Sequence, residues 1–189
     1  MESALIVART QKSADFFTQL LHAASIHQVT ASQSCAQARR LLLERDFDLL
    51  IINAPLQDET GESLARHAAA GGTAQAILVV RDEFYEAVAA ACEGDGVLTI
   101  ARPVSRTVFW SALMLAKAAQ SRLKTMQAEN ARLTRKIEEI RMVDRAKCLL
   151  ISRLRMSEQE AHRYIEKQAM DLRRSKREVA QGIIGAYEE

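Results

Sequence analysis

The chemistry available to this 189-residue chain is mostly cationic. Residues 122–187 carry 16 Lys and Arg against 9 Asp and Glu, whereas residues 1–121 carry 10 against 13. A basic stretch can neutralise phosphates and release their counterions. A solvated, Arg-rich helical surface has the same composition, so charge alone leaves both readings open. Little else in the chain looks reactive. There is no phosphate-cradling Gly loop, no metal-ligand spacing and no convergent acid–base pair, so neither an enzyme nor a bound cofactor or metal is expected. Cys35, Cys92 and Cys148 lie far apart, without a CxxC, and read as reduced thiols. They suit a cytoplasmic protein. Met1-Glu2-Ser3 offers no basic leader, and no apolar run approaches the ~20 residues needed to cross a bilayer.

The elements that must carry these charges come from the apolar pattern. With 48% hydrophobic residues, 7 Gly and 2 Pro, the chain is neither disordered nor a turn-rich sandwich. Strand-length apolar runs recur at Ala4–Ala8, Asp48–Ile52, Ala76–Val80 and Val97–Ile100, with a weaker one at Ile26–Thr30. Helical stretches separate them, near 13–24, 34–45, 60–70 and 83–92. In the first of these Phe16, Phe17, Leu20 and Leu21 form one stripe. Continuous apolar strands alternating with helices predict a parallel sheet covered on both sides, in a flavodoxin-like doubly wound α/β domain. A ligand site in that fold lies beyond the carboxyl ends of the strands.

From Ser105, a candidate N-cap, helix formers run to about Arg153, and no Pro or Gly occurs from 104 to 181. A helix of that length must leave the first domain. A heptad seam is legible along it: Ala116, Leu123, Asn130 and Ile137 at a, with Ala119, Met126, Leu133 and Ile140 at d; Ala112 precedes them. One Asn at an a position suits a parallel dimeric coiled coil, although Lys136 and Arg141 would repel across it. The alternative is an amphipathic helix lying on its own domain. Two S-x-x-E capping boxes, Ser157–Glu160 and Ser175–Glu178, predict helices at about 158–172 and 176–184, the second closed by Gly185. Leu149, Leu150, Met156, Ala161, Ile165, Ala169, Val179, Ala180 and Ile183 are the expected core of this three-helix unit.

Residues 48–61, Asp-Leu-Leu-Ile-Ile-Asn53 followed by Ala54-Pro55 and Gly61, resemble the third strand and following loop of CheY-like receiver domains of response regulators. The resemblance implies that Asn53 stands at the phosphoacceptor position, and that Ala8 and Arg9 replace the magnesium-binding carboxylates. Val80 or Arg81 then falls at the switch hydroxyl, and Arg102, before Pro103, at the invariant Lys. An amide is a poor nucleophile, and Arg9 would oppose a divalent cation. The expectation is a pseudo-receiver. Its Arg9, Arg81 and Arg102 can converge on an anion, or Arg81 and Arg102 can pair with acids such as Asp58 or Asp82.

The segments Ala146–Ser157, Glu160-Ala161-His162, Ala169-Met170-Asp171 and Glu178-Val179-Ala180 resemble the ANTAR family, especially members that also carry a degenerate receiver. Cys148 departs from it, since many members have Gly there. The resemblance implies a dimer that binds paired hairpins in nascent mRNA leaders and permits transcription past a terminator. Phosphate contacts are then expected from Lys147, Arg153, Arg155, Arg173, Arg174, Lys176 and Arg177. His162 and Tyr164 are candidates for base stacking, or else a bridging core residue and a half-buried ring. The expected organisation is a pseudo-receiver at 1–120, a dimerising linker helix at 105–145 with Leu123, Met126, Asn130, Leu133, Ile137 and Ile140 in its seam, and an RNA-binding unit at 146–189. A sensor protein or a small ligand would address the pseudo-receiver. A DNA-binding regulator and a scaffold without nucleic-acid affinity are the competing readings. Against the first, the final helix lacks the polar N-terminal face of a recognition helix.

Overall fold

The computed structural model describes residues 1–71 and 74–187 and divides into two units, Met1–Lys124 and Thr125–Glu189. In the first, β1 (Ser3–Ala8), α1 (Gln11–Ala23), β2 (Gln28–Ser32), α2 (Cys35–Glu44), β3 (Leu49–Asn53), α3 (Glu62–Ala70), β4 (Gln75–Arg81), α4 (Tyr85–Cys92) and β5 (Leu98–Arg102) lead into α5 (Arg106–Leu154). Every strand pair is parallel, and the order is β2-β1-β3-β4-β5. This is the doubly wound α/β arrangement that the alternating pattern predicts.

Strand alternation divides the core in two. Ala4, Ile6, Leu49, Ile51, Ile77 and Val79 face Phe17 and Leu21 of α1 and Phe109 and Leu113 of α5. Leu5, Val7, Leu50, Ile52, Leu78 and Val80 lie in the opposite layer with residues of α2, α3 and α4. Thr10 caps α1 by accepting from the Ser13 N–H, and Ser34 caps α2 by accepting from the Gln37 N–H. Ser105 does start the long helix: its Oγ accepts from the Val108 N–H at 3.2 Å. Gly61 opens α3 at φ 92°, and a Cβ there would meet Ile52 Cγ2 at 2.7 Å, so backbone and packing both require glycine.

Several expectations shift. β2 begins at Gln28, because Ile26 is wholly buried in the preceding turn and fills the core before strand pairing starts. Phe16 is substantially exposed, although it packs edge-on against Phe17 with ring centroids 5.2 Å apart. Ala112 and Ala116 do not belong to a zipper seam. They are buried with Phe109 and Leu113 in the first unit's core, while Ala119 is exposed. A three-to-four spacing fits a helix resting on its own domain as well as it fits a zipper, and here burial selects the former.

The N-terminal edge of the sheet holds α5 through one carboxylate. Asp48 accepts from Gln120 Nε2 at 2.6 Å, from Lys124 Nζ at 2.9 Å and from the Ser3 N–H at 3.2 Å. Burial pushes its carboxyl upward, but the Glu2 and Ser3 N–H groups, Lys124 and Gln120 outweigh that and hold it well below the usual carboxylate range.

The second unit packs the end of α5 against α6 (Glu158–Leu172) and α7 (Lys176–Tyr187). Ala146, Leu150, Ala161, Ile165, Val179 and Ala180 form its centre, with Met156, Ala169 and Ile183 at the margin. Leu149 is half-buried. Ala161 and Ala180 are fully buried, as close helix approach requires. Both capping boxes form: the Ser157 and Ser175 N–H groups each donate at 2.8 Å to Glu160 and Glu178. Gly185 does not close the last helix, which runs on to Tyr187. Ile183 and Ile184 pack on the core, and that burial carries the helix past Gly182 and Gly185.

A depressed folded-state pKa contributes stability above the ordinary carboxylate value of roughly 4 and loses it as pH falls through the folded value. Asp48→Asn is therefore expected to destabilise the first unit by about 1–3 kcal/mol at neutral pH. It should also flatten the acid limb of stability against pH. Urea unfolding across pH checks both, and an unchanged acid limb would remove Asp48 from this role.

Candidate functional site

Two groups of side chains emerge, one per unit. At the carboxyl edge of the sheet, Ala8 is the register partner of Asn53, Asn53 of Val79, and Arg81 of Arg102. By alternation, Ala8, Asn53, Arg81 and Arg102 share the face that carries Ile6, Ile51, Val79 and Ile100. None is a carboxylate. Arg9 is exposed and makes no ion pair among the described residues. Arg81 reaches Glu83 at 3.3 Å, with both side chains largely in solvent. Arg102 is half-buried, and its Nε is buried without a hydrogen-bond partner. Burial and then the neighbouring Arg81 lower its pKa.

Asp58 is not the partner of either arginine. Its carboxylate accepts the Cys35 and Ala36 N–H groups at 3.1 and 3.0 Å, at the start of α2. Val80 faces the other layer and borders a cavity of about 380 Å³ with Ala54, Pro55, Thr60, Phe84 and Val88. Cys35, Asp58 and Glu59 come close enough to suggest metal ligands. However, Asp58 serves α2 and Glu59 pairs with Arg39. The Cys35 thiol is pushed up to about 11, chiefly by burial and then by Glu59 and Asp58. It is therefore a thiol at neutral pH and a poor metal ligand.

In the second unit the expected phosphate contacts separate into two sets. Lys147 is mostly buried and bridges Asp144 at 2.8 Å and Glu158 at 3.3 Å. The Asp144 hydrogen bond is the main cause of its raised pKa. It acts as a strut between α5 and α6. Lys176 joins α7 to α6 through Glu166 at 2.6 Å, and Arg177 lies 4.0 Å from Glu138. Glu166 is held below its ordinary pKa first by Lys176 and then by His162. These partners were not anticipated, because a sequence does not show which acids fold back onto which bases.

Arg153, Arg155, Arg173 and Arg174 form the second set. All four are exposed. None makes an ion pair among the described residues, although Arg174 lowers the pKa of nearby Glu178. Arg155 and Arg173 sit at the two inter-helix turns with φ of 57° and 52°. The Arg173 N–H closes α6 on the Ala169 and Met170 carbonyls. Glycine is the usual residue in such left-handed positions. His162 is exposed and lies 3.3 Å from Glu166 on its own helix, so it is not a bridging core residue. Tyr164 is also exposed, with no ring contact among the described residues.

The seam residues of α5 present a second surface. Met126, Leu133, Ile137 and Ile140 are 46–62% exposed in the single chain. Leu123 is half-buried and Asn130 exposed. No helix among the described residues is long and apolar enough to cross a membrane.

Comparison with known proteins agrees with this division. The first unit is similar to a signal receiver domain of an HD domain-containing protein from Pseudomonas fluorescens Pf-5, at 22% identity and TM-score 0.55. That match covers 67% of this chain and 92% of that one. It is likewise similar to a response regulator receiver domain protein from Clostridium thermocellum, at 15% identity and TM-score 0.57, covering 67% and 99%. The fold of the first unit is therefore that of a CheY-like receiver domain. Residues 131–184 match the ANTAR domain family. A relative 25% identical over 137 residues is the transcriptional regulatory protein PdtaR of Mycobacterium tuberculosis, the match covering 72% of this chain and 67% of that protein. The chain thus joins a unit with the CheY-like receiver fold to a segment that matches the ANTAR domain family.

If Lys147 is a strut, Lys147→Met should lower the stability of the three-helix unit by about 0.5–1 kcal/mol. Arg153→Met should leave it within error. Thermal unfolding followed by circular dichroism tests the contrast, and equal effects would refute it.

Proposed function

We propose that the chain is a cytoplasmic RNA-binding regulator of transcription antitermination. Its ANTAR unit grips paired hairpins in nascent mRNA leaders, and its receiver domain takes a signal other than phosphorylation. The observation that carries this reading is the set of four exposed arginines, Arg153, Arg155, Arg173 and Arg174, on a unit matched to the ANTAR family. Guanidinium groups without internal partners are available to phosphate oxygens and to the faces of unstacked loop bases. Arg155 and Arg173 occupy backbone positions that favour glycine. A side chain kept there against its conformational preference suits a binding role better than a folding one. Tyr164 is free to stack on a base.

The apolar seam from Leu123 to Ile140 supports a parallel dimer with Asn130 setting register. Two linked RNA-binding units would then engage two hairpins at once, which raises apparent affinity without new contacts. Asn53 in place of a carboxylate, with Ala8 and Arg9 where acids would bind magnesium, supports a receiver that is not phosphorylated.

Arg173→Ala with Arg174→Ala is expected to weaken binding to a two-hairpin RNA and to reduce the slope of log K against log salt by about 0.7–0.9 per lost phosphate contact. Arg155→Gly and Arg173→Gly should keep or raise thermal stability while weakening the same complex. Preference for duplex DNA at matched salt, or no binding above background, would favour the competing regulator or scaffold. For the seam, Asn130→Leu should change the oligomeric state or register seen by sedimentation. A monomer before and after the change would overturn the zipper.

A further inference from the structure

We infer that Arg81 and Arg102 form a seat for the carboxylate or phosphate group of a small molecule, at the carboxyl edge of the receiver sheet. The two are direct register partners at the ends of β4 and β5, so their side chains leave the same face of the sheet side by side. Like charges placed directly opposite each other on neighbouring strands repel and are destabilising. A protein usually relieves such a pair with a carboxylate between them. Here none serves Arg102, which makes no ion pair among the described residues. Among the described residues Arg81 pairs only with the solvent-exposed Glu83, at 3.3 Å.

Burial sharpens the imbalance. One edge of the Arg102 guanidinium is withdrawn from water with its Nε unpartnered among the described residues, which costs free energy. The remaining N–H groups of Arg102, with those of Arg81, supply a fork that matches the paired oxygens of a carboxylate or phosphate. An anion between them would relieve the repulsion and add charge-assisted hydrogen bonds at once. The neighbouring positions on that face do not oppose an anion: Asn53 is neutral and Ala8 apolar. The location also suits a ligand, since doubly wound sheets bind theirs beyond the carboxyl ends of the strands.

The test uses the full chain and two probes, inorganic phosphate and acetate, each compared with sodium chloride at equal ionic strength. Thermal unfolding of the first unit and titration calorimetry are read for the protein and for Arg102→Gln. Stabilisation by phosphate beyond the chloride control assigns a phosphate group, and stabilisation by acetate a carboxylate. In either case Arg102→Gln should weaken binding on the order of tenfold or more. Without anion, Arg102→Gln should match or exceed the parent's melting temperature, because it removes one of two repelling charges. A less stable Arg102→Gln that still responds to the anion would make Arg102 a structural residue and overturn the seat. So would a response to both salts no larger than that to chloride. RNA affinity measured without anion is independent of this site, so failure here leaves the antitermination reading untouched, and failure there leaves this one untouched.

Discussion

One helix is shared by two hydrophobic cores, and the rest of the structure depends on that constraint. The first turns of α5 deliver Phe109, Ala112, Leu113 and Ala116 to the receiver core, and its last turns deliver Ala146 and Leu150 to the three-helix unit. Neither core is complete without its share of α5. The run from Arg106 to Leu154 is helical throughout. The residues between the two buried segments are free of that duty, and there the exposed seam lies.

Polar contacts lock each end of this arrangement. At the receiver end, Asp48 gathers Gln120, Lys124 and the N-terminal backbone around one desolvated carboxylate. At the other, Lys147 and Lys176 bind acids on α6 and fasten all three helices. The two lysines thus serve the fold, and the arginines at the turns remain available. The chemistry of the side chains fits the split. An ammonium is a compact point charge suited to holding one carboxylate, whereas a guanidinium offers a planar fork and a stacking face to a ligand. The receiver repeats the pattern, since Arg81 and Arg102 stand beside each other at the strand ends without a buried carboxylate among the described residues to balance them.

Much of the architecture is legible from the chain alone. The strands β1, β3 and β4 are buried on both faces and announce themselves as unbroken apolar runs; α6 is bracketed by its capping box and falls where that box places it. Phe16 and Gly185 show where pattern misleads. An apolar residue at helical spacing need not lie on the buried face, and a glycine ends a helix only when no packing carries it onward. The alanines at 112 and 116 make the same point, because a seam and a domain-facing stripe have nearly the same period.

By itself, the sequence determined the doubly wound order of elements, the two capped helices and the basic character of the second half. Those follow from periodicity, capping chemistry and charge, which act between near neighbours in the chain. Only the tertiary structure decided which charges are spent. Lys147 meets Glu158 across a turn, Asp48 meets Gln120 from 72 residues away, and Arg102 meets no acid at all among the described residues. Pairing of that kind depends on distances in space, and an ionised side chain is identical in the sequence whether it is neutralised, buried or open to a ligand.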